Sequence, residues 1–213
     1  MAPRFRDRLQ LVTEEFAPIN DVRLRNLHKE GSKSHSMVNA QLAKSTTNAH
    51  GAALVEDDAF RFDSELEFTR PELNSLRDIW LQKSASRGFA TRADFDARTI
   101  KTFMRNLSIL DVVKQEDGTR RYRYRYVGSA IVEVFGEQTG KYIDDFVSAD
   151  KLARWTAVHD LVTLSGRPLR FVVNYTSPQI NYLSSECLML PLSEDGSEVN
   201  MMMSFVYLGA KRD

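Results

Sequence analysis

The stretch VNMMMSFVYL at 199–208 carries apolar residues at odd and even positions alike, interrupted only by Asn200 and Ser204. In an extended chain successive side chains point to opposite faces. A strand that is apolar on both sides therefore belongs in the middle of a sheet, with a packed layer on each face. RYRYRYV at 121–127 is its opposite. Tyr122, Tyr124 and Tyr126 alternate strictly with Arg121, Arg123 and Arg125. That pattern predicts a half-buried edge strand, tyrosines inward and arginines outward.

Other segments fill in the order. TRPE at 69–72 has the spacing of a capping box, with Pro71 in the first turn, and Leu73, Leu76, Ile79 and Trp80 follow at helical spacing. This helix is expected to end near Arg87, at Gly88. LSILDVV at 107–113 reads as a strand, and Asp117-Gly118 as a hairpin turn. After Gly128, SAIVEVFG reads as a short helix with Ile131, Val134 and Phe135 inward. Ser148 is the expected cap of a longer helix at 149–165, with Leu152, Trp155, Val158 and Val162 on its inner face. LRFVVNY at 169–175, YLSSECLML at 182–190 and the opening stretch, set off by an Asp-Gly turn at 194–197, complete the strands. The expectation is an α+β fold: a five-stranded antiparallel sheet with helices between strands two and three. The amphipathic N-terminal helix covers the outer face.

Residues 1–68 differ in character. The run at 29–48 is rich in Ser, Lys, Asn and Thr and has no aromatic residue. Such a segment cannot bury enough apolar surface to offset the entropy of ordering it. The expected division is a flexible extension at 1–68, one domain at 69–208 and a short tail at 209–213. A short helix at 5–16 is weighed, because Leu9, Val12 and Phe16 share a face.

The 29 basic and 29 acidic residues cancel, which argues against nucleic acid or an anionic membrane as the main partner. The longest mostly apolar run is far too short to span a bilayer. Arg4, Arg6 and Arg8 lead into no apolar core of a signal peptide, and Asp7, Glu14 and Glu15 argue against a transit sequence. A cytoplasmic location is the expectation. A single cysteine, Cys187, excludes an internal disulfide and a thiolate zinc site. It reads as a small buried apolar residue.

Four segments carry a family resemblance. They are RADFDARTIKTFMRNLSILDVV at 92–113, YRYRYVGSAIVEVFG at 122–136, TGKYIDDF at 139–146 and LMLPLSEDGSEVNMMMSFVYL at 188–208. In this order they resemble a family of short bacterial PAS proteins that often lack an attached enzyme domain, over about 71–208. Ala97 departs from that family, which commonly has proline there. The loop from Gly136 to Gly140 looks one residue short, and in PAS folds that loop borders the cavity. The resemblance implies a sensory or adaptor protein of bacterial signal transduction.

The inward residues Tyr126, Ile131, Phe135, Trp155, Phe171, Val173, Leu188 and Met202 are the candidate ligand-binding set. They are expected to converge between sheet and helices, with a closed core favoured over an open pocket. No metal site is expected, and the cofactor is left unknown. PAS domains that bind haem use a histidine on the helix equivalent to 149–165. His159 lies there, so a haem-based gas or redox sensor is an alternative. The favoured reading of His159 is a partly exposed side chain without a ligand. A small α+β enzyme working in the same cavity is a second alternative, with Glu133 and Glu186 as its isolated carboxylates. The adjacent pairs Glu14-Glu15, Asp57-Asp58 and Asp144-Asp145 diverge in direction and read as solvated. The arginine stripe is expected to face solvent or a partner, with acidic residues on that partner or on the N-terminal segment as its complement. Five residues follow Leu208, which predicts output through protein contacts, not through an attached domain. The favoured reading is a non-catalytic protein that pairs with itself as a homodimer, or docks a signalling protein, through the sheet and the helix at 69–87.

Overall fold

The computed structural model describes residues 59–211. The expected short helix at 5–16 and the Ser/Lys-rich run at 29–48 lie outside these residues. Six strands and four helices are described: β1 (Phe60–Asp63), α1 (Pro71–Ser84), α2 (Ala97–Ile100), β2 (Leu107–Lys114), β3 (Arg120–Val127), α3 (Ser129–Phe135), α4 (Ala149–Ser165), β4 (Leu169–Asn174), β5 (Leu183–Leu192) and β6 (Met201–Ala210). Single 3-10 turns flank α2 and precede α4. The strands form one antiparallel sheet in the order β1-β4-β5-β6-β2-β3.

All five expected strands are present, with β3 at an edge and β6 inside. The count is corrected to six. β1 lies within the stretch read as extension, and it pairs with β4 because Phe60 and Phe62 bury their rings at the inner face. β1 thus begins nine residues before Thr69.

β6 separates two cores. Met202 and Val206 pack on the inner face with Phe171, Val158 and Val162, under α4. Met201, Met203 and Phe205 pack on the outer face with Leu73, Leu76 and Trp80 of α1. The Trp80 indole N–H donates to the Pro191 carbonyl at 2.8 Å, which satisfies its one polar atom inside the outer core.

The start of α1 is not the expected capping box. Arg70 occupies the cap position and supplies no side-chain cap bond. Thr69 turns to β5 instead. Its N–H and hydroxyl donate to the two oxygens of Glu186 at 3.0 and 2.6 Å. Arg170 of β4 donates to Glu186 at 2.9 Å and to Asp63 of β1 at 2.7 Å. A buried carboxylate is costly unless paired and hydrogen-bonded. Here burial disfavours the charged form of Glu186, but the Thr69 and Arg170 bonds outweigh it and hold its pKa below the ordinary value. One network thus fastens β1, β4, β5 and the entrance to α1. Ser148 likewise occupies the cap position of α4 without a side-chain cap bond.

The strict alternation of β3 is broken by a bulge. Leu110 pairs with Tyr124 and Ile109 with Tyr126, so Arg125 is the extra residue. Tyr122 and Tyr124 stay with the inner core, while Tyr126 joins the outer one and donates to the Met104 carbonyl at 3.2 Å. The expectation that all three tyrosines share a face is therefore corrected: an inserted residue reverses the pleat. The arginines find their acids within the chain. Arg123 and Arg125 pair with Asp111 at 2.9 and 2.7 Å, and Arg121 pairs with Asp144 and Asp145 at 2.9 and 3.3 Å.

Gly128 follows β3 where two backbone segments meet. A Cβ built there would lie 2.3 Å from the Met104 carbonyl oxygen and 2.4 Å from that of Arg105. Backbone atoms cannot step aside as a side chain end can. Gly128→Ala is expected to lower stability by about 2 kcal/mol or more, read from the urea midpoint. An unchanged midpoint would show that the 104–106 segment gives way freely.

Candidate functional site

The candidate site is the inner face, between the sheet and the layer formed by α3, the 136–147 loop and α4. Aromatic rings fill its β1–β4 end. Trp155 meets Phe60 and Phe171 edge-on, with centroids 6.1 and 5.9 Å apart, and Phe60 stacks on Phe171 at 5.9 Å. Such contacts add to the area they bury.

Two polar groups interrupt this apolar face. The first joins β3 to α4. Tyr122 is buried and donates its hydroxyl to Asp160. Burial, then the neighbouring carboxylate, pushes its phenol well above the usual range. His159 packs against the Tyr122 ring at 4.9 Å and the Trp155 ring at 6.2 Å. Its Nδ1 lies 2.7 Å from the Trp155 carbonyl, four residues earlier on the helix.

The second group draws on β3, the residue that follows β4, and β5. The Tyr175 hydroxyl lies 3.1 Å from Ser185 Oγ, and the Cys187 thiol donates to the same oxygen at 3.5 Å. Ser185 and Cys187 are 1% exposed. Phe135 of α3 packs on Tyr175 at 5.3 Å, and Phe146 packs on Tyr124 at 5.8 Å. Burial raises the phenol pKa of Tyr124 and Tyr175 and lifts the Cys187 thiol to about 12. Every group in this cluster is neutral near pH 7, and each can donate or accept a hydrogen bond.

Of the residues expected to converge, Trp155, Phe171, Val173 and Met202 do so in the inner core. Phe135 reaches it at the rim, half-buried against Tyr175. Ile131 is buried on α3. Tyr126 and Leu188 do not converge with them: both lie in the outer core, Tyr126 because of the bulge and Leu188 because β5 alternates. Tyr124, Tyr175, Ser185 and Cys187 were not singled out as a group. The register that sets Val173 opposite Ser185 and Phe171 opposite Cys187 was the missing information.

His159 is 2% exposed, which corrects the partly exposed reading. A haem plane on this histidine would have to displace the Tyr122 or Trp155 ring, so the packed site does not fit that group. Glu186 belongs to the outer network, and Glu133 sits on the surface 3.3 Å from Arg105. The two isolated carboxylates therefore do not meet. Cys187 is buried as expected. Among the described residues no cluster of His, Cys, Asp and Glu could hold a metal ion, and no helix is long and apolar enough to cross a membrane.

The chain matches the PAS domain family over residues 68–206. It belongs to that family. A search of curated proteins finds no match. Among solved structures, an RNA-binding light-oxygen-voltage receptor is similar at 8% identity with a TM-score of 0.36, over 94% of this chain and 54% of that one. The chain thus spans about half the length of that receptor. Membership of the PAS family carries a sensory or signalling role in general.

Burial holds the His159 pKa of this PAS domain down to about 4, against the Trp155 carbonyl bond, which favours the protonated ring. A folded pKa below the unfolded one means that acid favours unfolding. The contribution of His159 is complete above about pH 6.5 and fades as the pH falls towards 4. Between pH 7 and pH 5 the protein should lose about 2 kcal/mol more than a His159→Gln variant does, read from urea melts at each pH. Parallel curves for the two proteins would show that His159 takes up its proton at the same pH in the folded and unfolded states.

Proposed function

We propose that this PAS protein is a non-catalytic sensory adaptor of bacterial signal transduction, which recognises a small uncharged ligand at the inner face and passes the result on through protein contacts. The observation that carries this reading is the Tyr124–Tyr175–Ser185–Cys187 cluster. It offers hydrogen bonds in an apolar setting and holds no ionised group. Acid–base catalysis near neutrality needs a group whose pKa lies near the working pH. Burial moves the phenols and the thiol away from it. A charged ligand would leave its charge unpaired there, which is costly. A neutral one with a ring or apolar body could replace the contacts of Phe135 and Phe146 and hydrogen-bond Tyr175 or Tyr124.

The outer sheet face is already occupied by α1. Contacts with a second copy or a signalling protein would therefore use the exposed side of α1, where Leu81 is 36% exposed.

Native mass spectrometry of freshly purified protein tests the reading. The expected spectrum shows a dimer or a partner complex and an added small-molecule mass. Tyr175→Phe, which keeps the ring and removes the hydroxyl, should lower ligand occupancy about tenfold, the scale of one lost hydrogen bond to a buried group. Turnover of a metabolite would overturn the non-catalytic reading. A ligand bound equally by Tyr175→Phe and Tyr124→Phe would remove the cluster from its site.

A further inference from the structure

The inner polar cluster is sealed at its base. Ser185 and Cys187 are each 1% exposed, and Phe146 and Phe135 lie against the two tyrosines that flank them. Anything that reaches Ser185 or Cys187 must first move part of the wall. Which part can move follows from what holds each one. β4 and β5 are paired residue by residue inside the sheet. α4 puts Val158, Leu161 and Val162 into the inner core.

The segment at 136–147 is held differently. Of its side chains only those of Gln138 and Ile143 are buried. Its other attachments are polar, and they run to the edge strand β3. The Tyr124 N–H donates to the Lys141 carbonyl at 2.9 Å, and the Gly140 N–H donates to the Tyr124 carbonyl at 2.7 Å. Arg121 supplies the side-chain hold. Its guanidinium meets Asp144 at 2.9 Å and Asp145 at 3.3 Å, and lies 3.8 Å from the centre of the Tyr142 ring. Gly136 and Gly140 stand at φ of 78° and 84°, a left-handed backbone that glycine enters and leaves without steric cost. The two sealing rings belong to this segment's ends: Phe135 directly precedes Gly136, and Phe146 is its last residue but one.

We infer that residues 136–147 form a gate over the Tyr124–Tyr175–Ser185–Cys187 cluster, latched to β3 by Arg121. Segments with few buried apolar groups and exposed hydrogen bonds are the first to open locally. Opening withdraws Ile143 from the core and lifts Phe146 off Tyr124, while the sheet and α4 stay in place. Exposed ion pairs hold weakly and are screened by salt. The latch therefore sets how often the gate opens, not whether the domain folds. The adjacent acids Asp144 and Asp145, solvated by their pattern alone, gain a common task in holding Arg121. As a way of admitting a ligand the gate rests on the proposed ligand reading; as a motion it does not.

Cys187 reports that motion, because it is the one cysteine of the chain. Buried, with its thiol lifted to about 12, it reacts only when exposed. The full chain is treated with methyl methanethiosulfonate, a small uncharged thiol reagent, and the labelled fraction is followed by intact mass. Arg121→Gln is expected to label at least threefold faster than the unaltered protein. The pair Asp144→Asn and Asp145→Asn should do the same, and all three changes together should add little, since each breaks the same latch. These rates should stay level through low urea, because a local opening exposes little surface, whereas global unfolding rises steeply. Equal rates for Arg121→Gln and the unaltered protein would overturn the gate, as would rates that climb with urea from the start. The ligand reading fails separately. Latch-dependent labelling of protein that carries no added mass in native mass spectrometry would keep the gate and remove the ligand. A bound mass with labelling indifferent to Arg121 would do the reverse.

Discussion

The fold depends on a single constraint: β6 must be kept dry on both faces. Met201, Met203 and Phe205 require one layer, Met202 and Val206 another. At about 25 cal/mol for each Å² of apolar surface, residues of this size contribute on the order of 2 kcal/mol each when buried. No arrangement with one wet sheet face retains both contributions. The strand therefore takes an interior place between β5 and β2, and a helix is held on each side of it. The Leu73–Leu76–Trp80 stripe of α1 and the Val158–Val162 stripe of α4 are the two responses.

Apolar burial does not by itself choose how α1 sits. That is the part of the Thr69–Glu186–Arg170–Asp63 network. A buried ionic network adds little net stability, because desolvation offsets much of the attraction. Its effect here is one of position. It ties the chain just before α1 to the middle of β5, and it ties the short β1 to β4. The hydrophobic stripe of α1 sets which side faces the sheet, and the charged network sets where along the sheet the helix begins.

Much of this architecture was legible in residue patterns. The five longer strands, the interior place of β6, the edge place of β3 and the two main helices follow from period and turn residues. What escaped has common causes. β1 is four residues long, too short to establish a period, and its burial comes from a partner strand more than a hundred residues away. Thr69 has the spacing of a cap, but a buried carboxylate on β5 competes for its hydroxyl and wins. The inner polar cluster draws on three strands, so it exists only once their register is known. His159 falls at the flank of the helical pattern, and burial there depends on Tyr122 reaching across from β3. Sequence periodicity describes one element at a time. These features are agreements between elements.

The bulge at Arg125 has a further meaning. Three tyrosines, identical in type and evenly spaced, are separated by one inserted residue into different neighbourhoods. Tyr122 and Tyr124 answer to the interior beneath α3 and α4, while Tyr126 answers to the side of α1. A change of ring size or polarity at these positions is therefore judged by unrelated surroundings. Edge strand β3 thus faces the inner core before Arg125 and the sheet's far side after it.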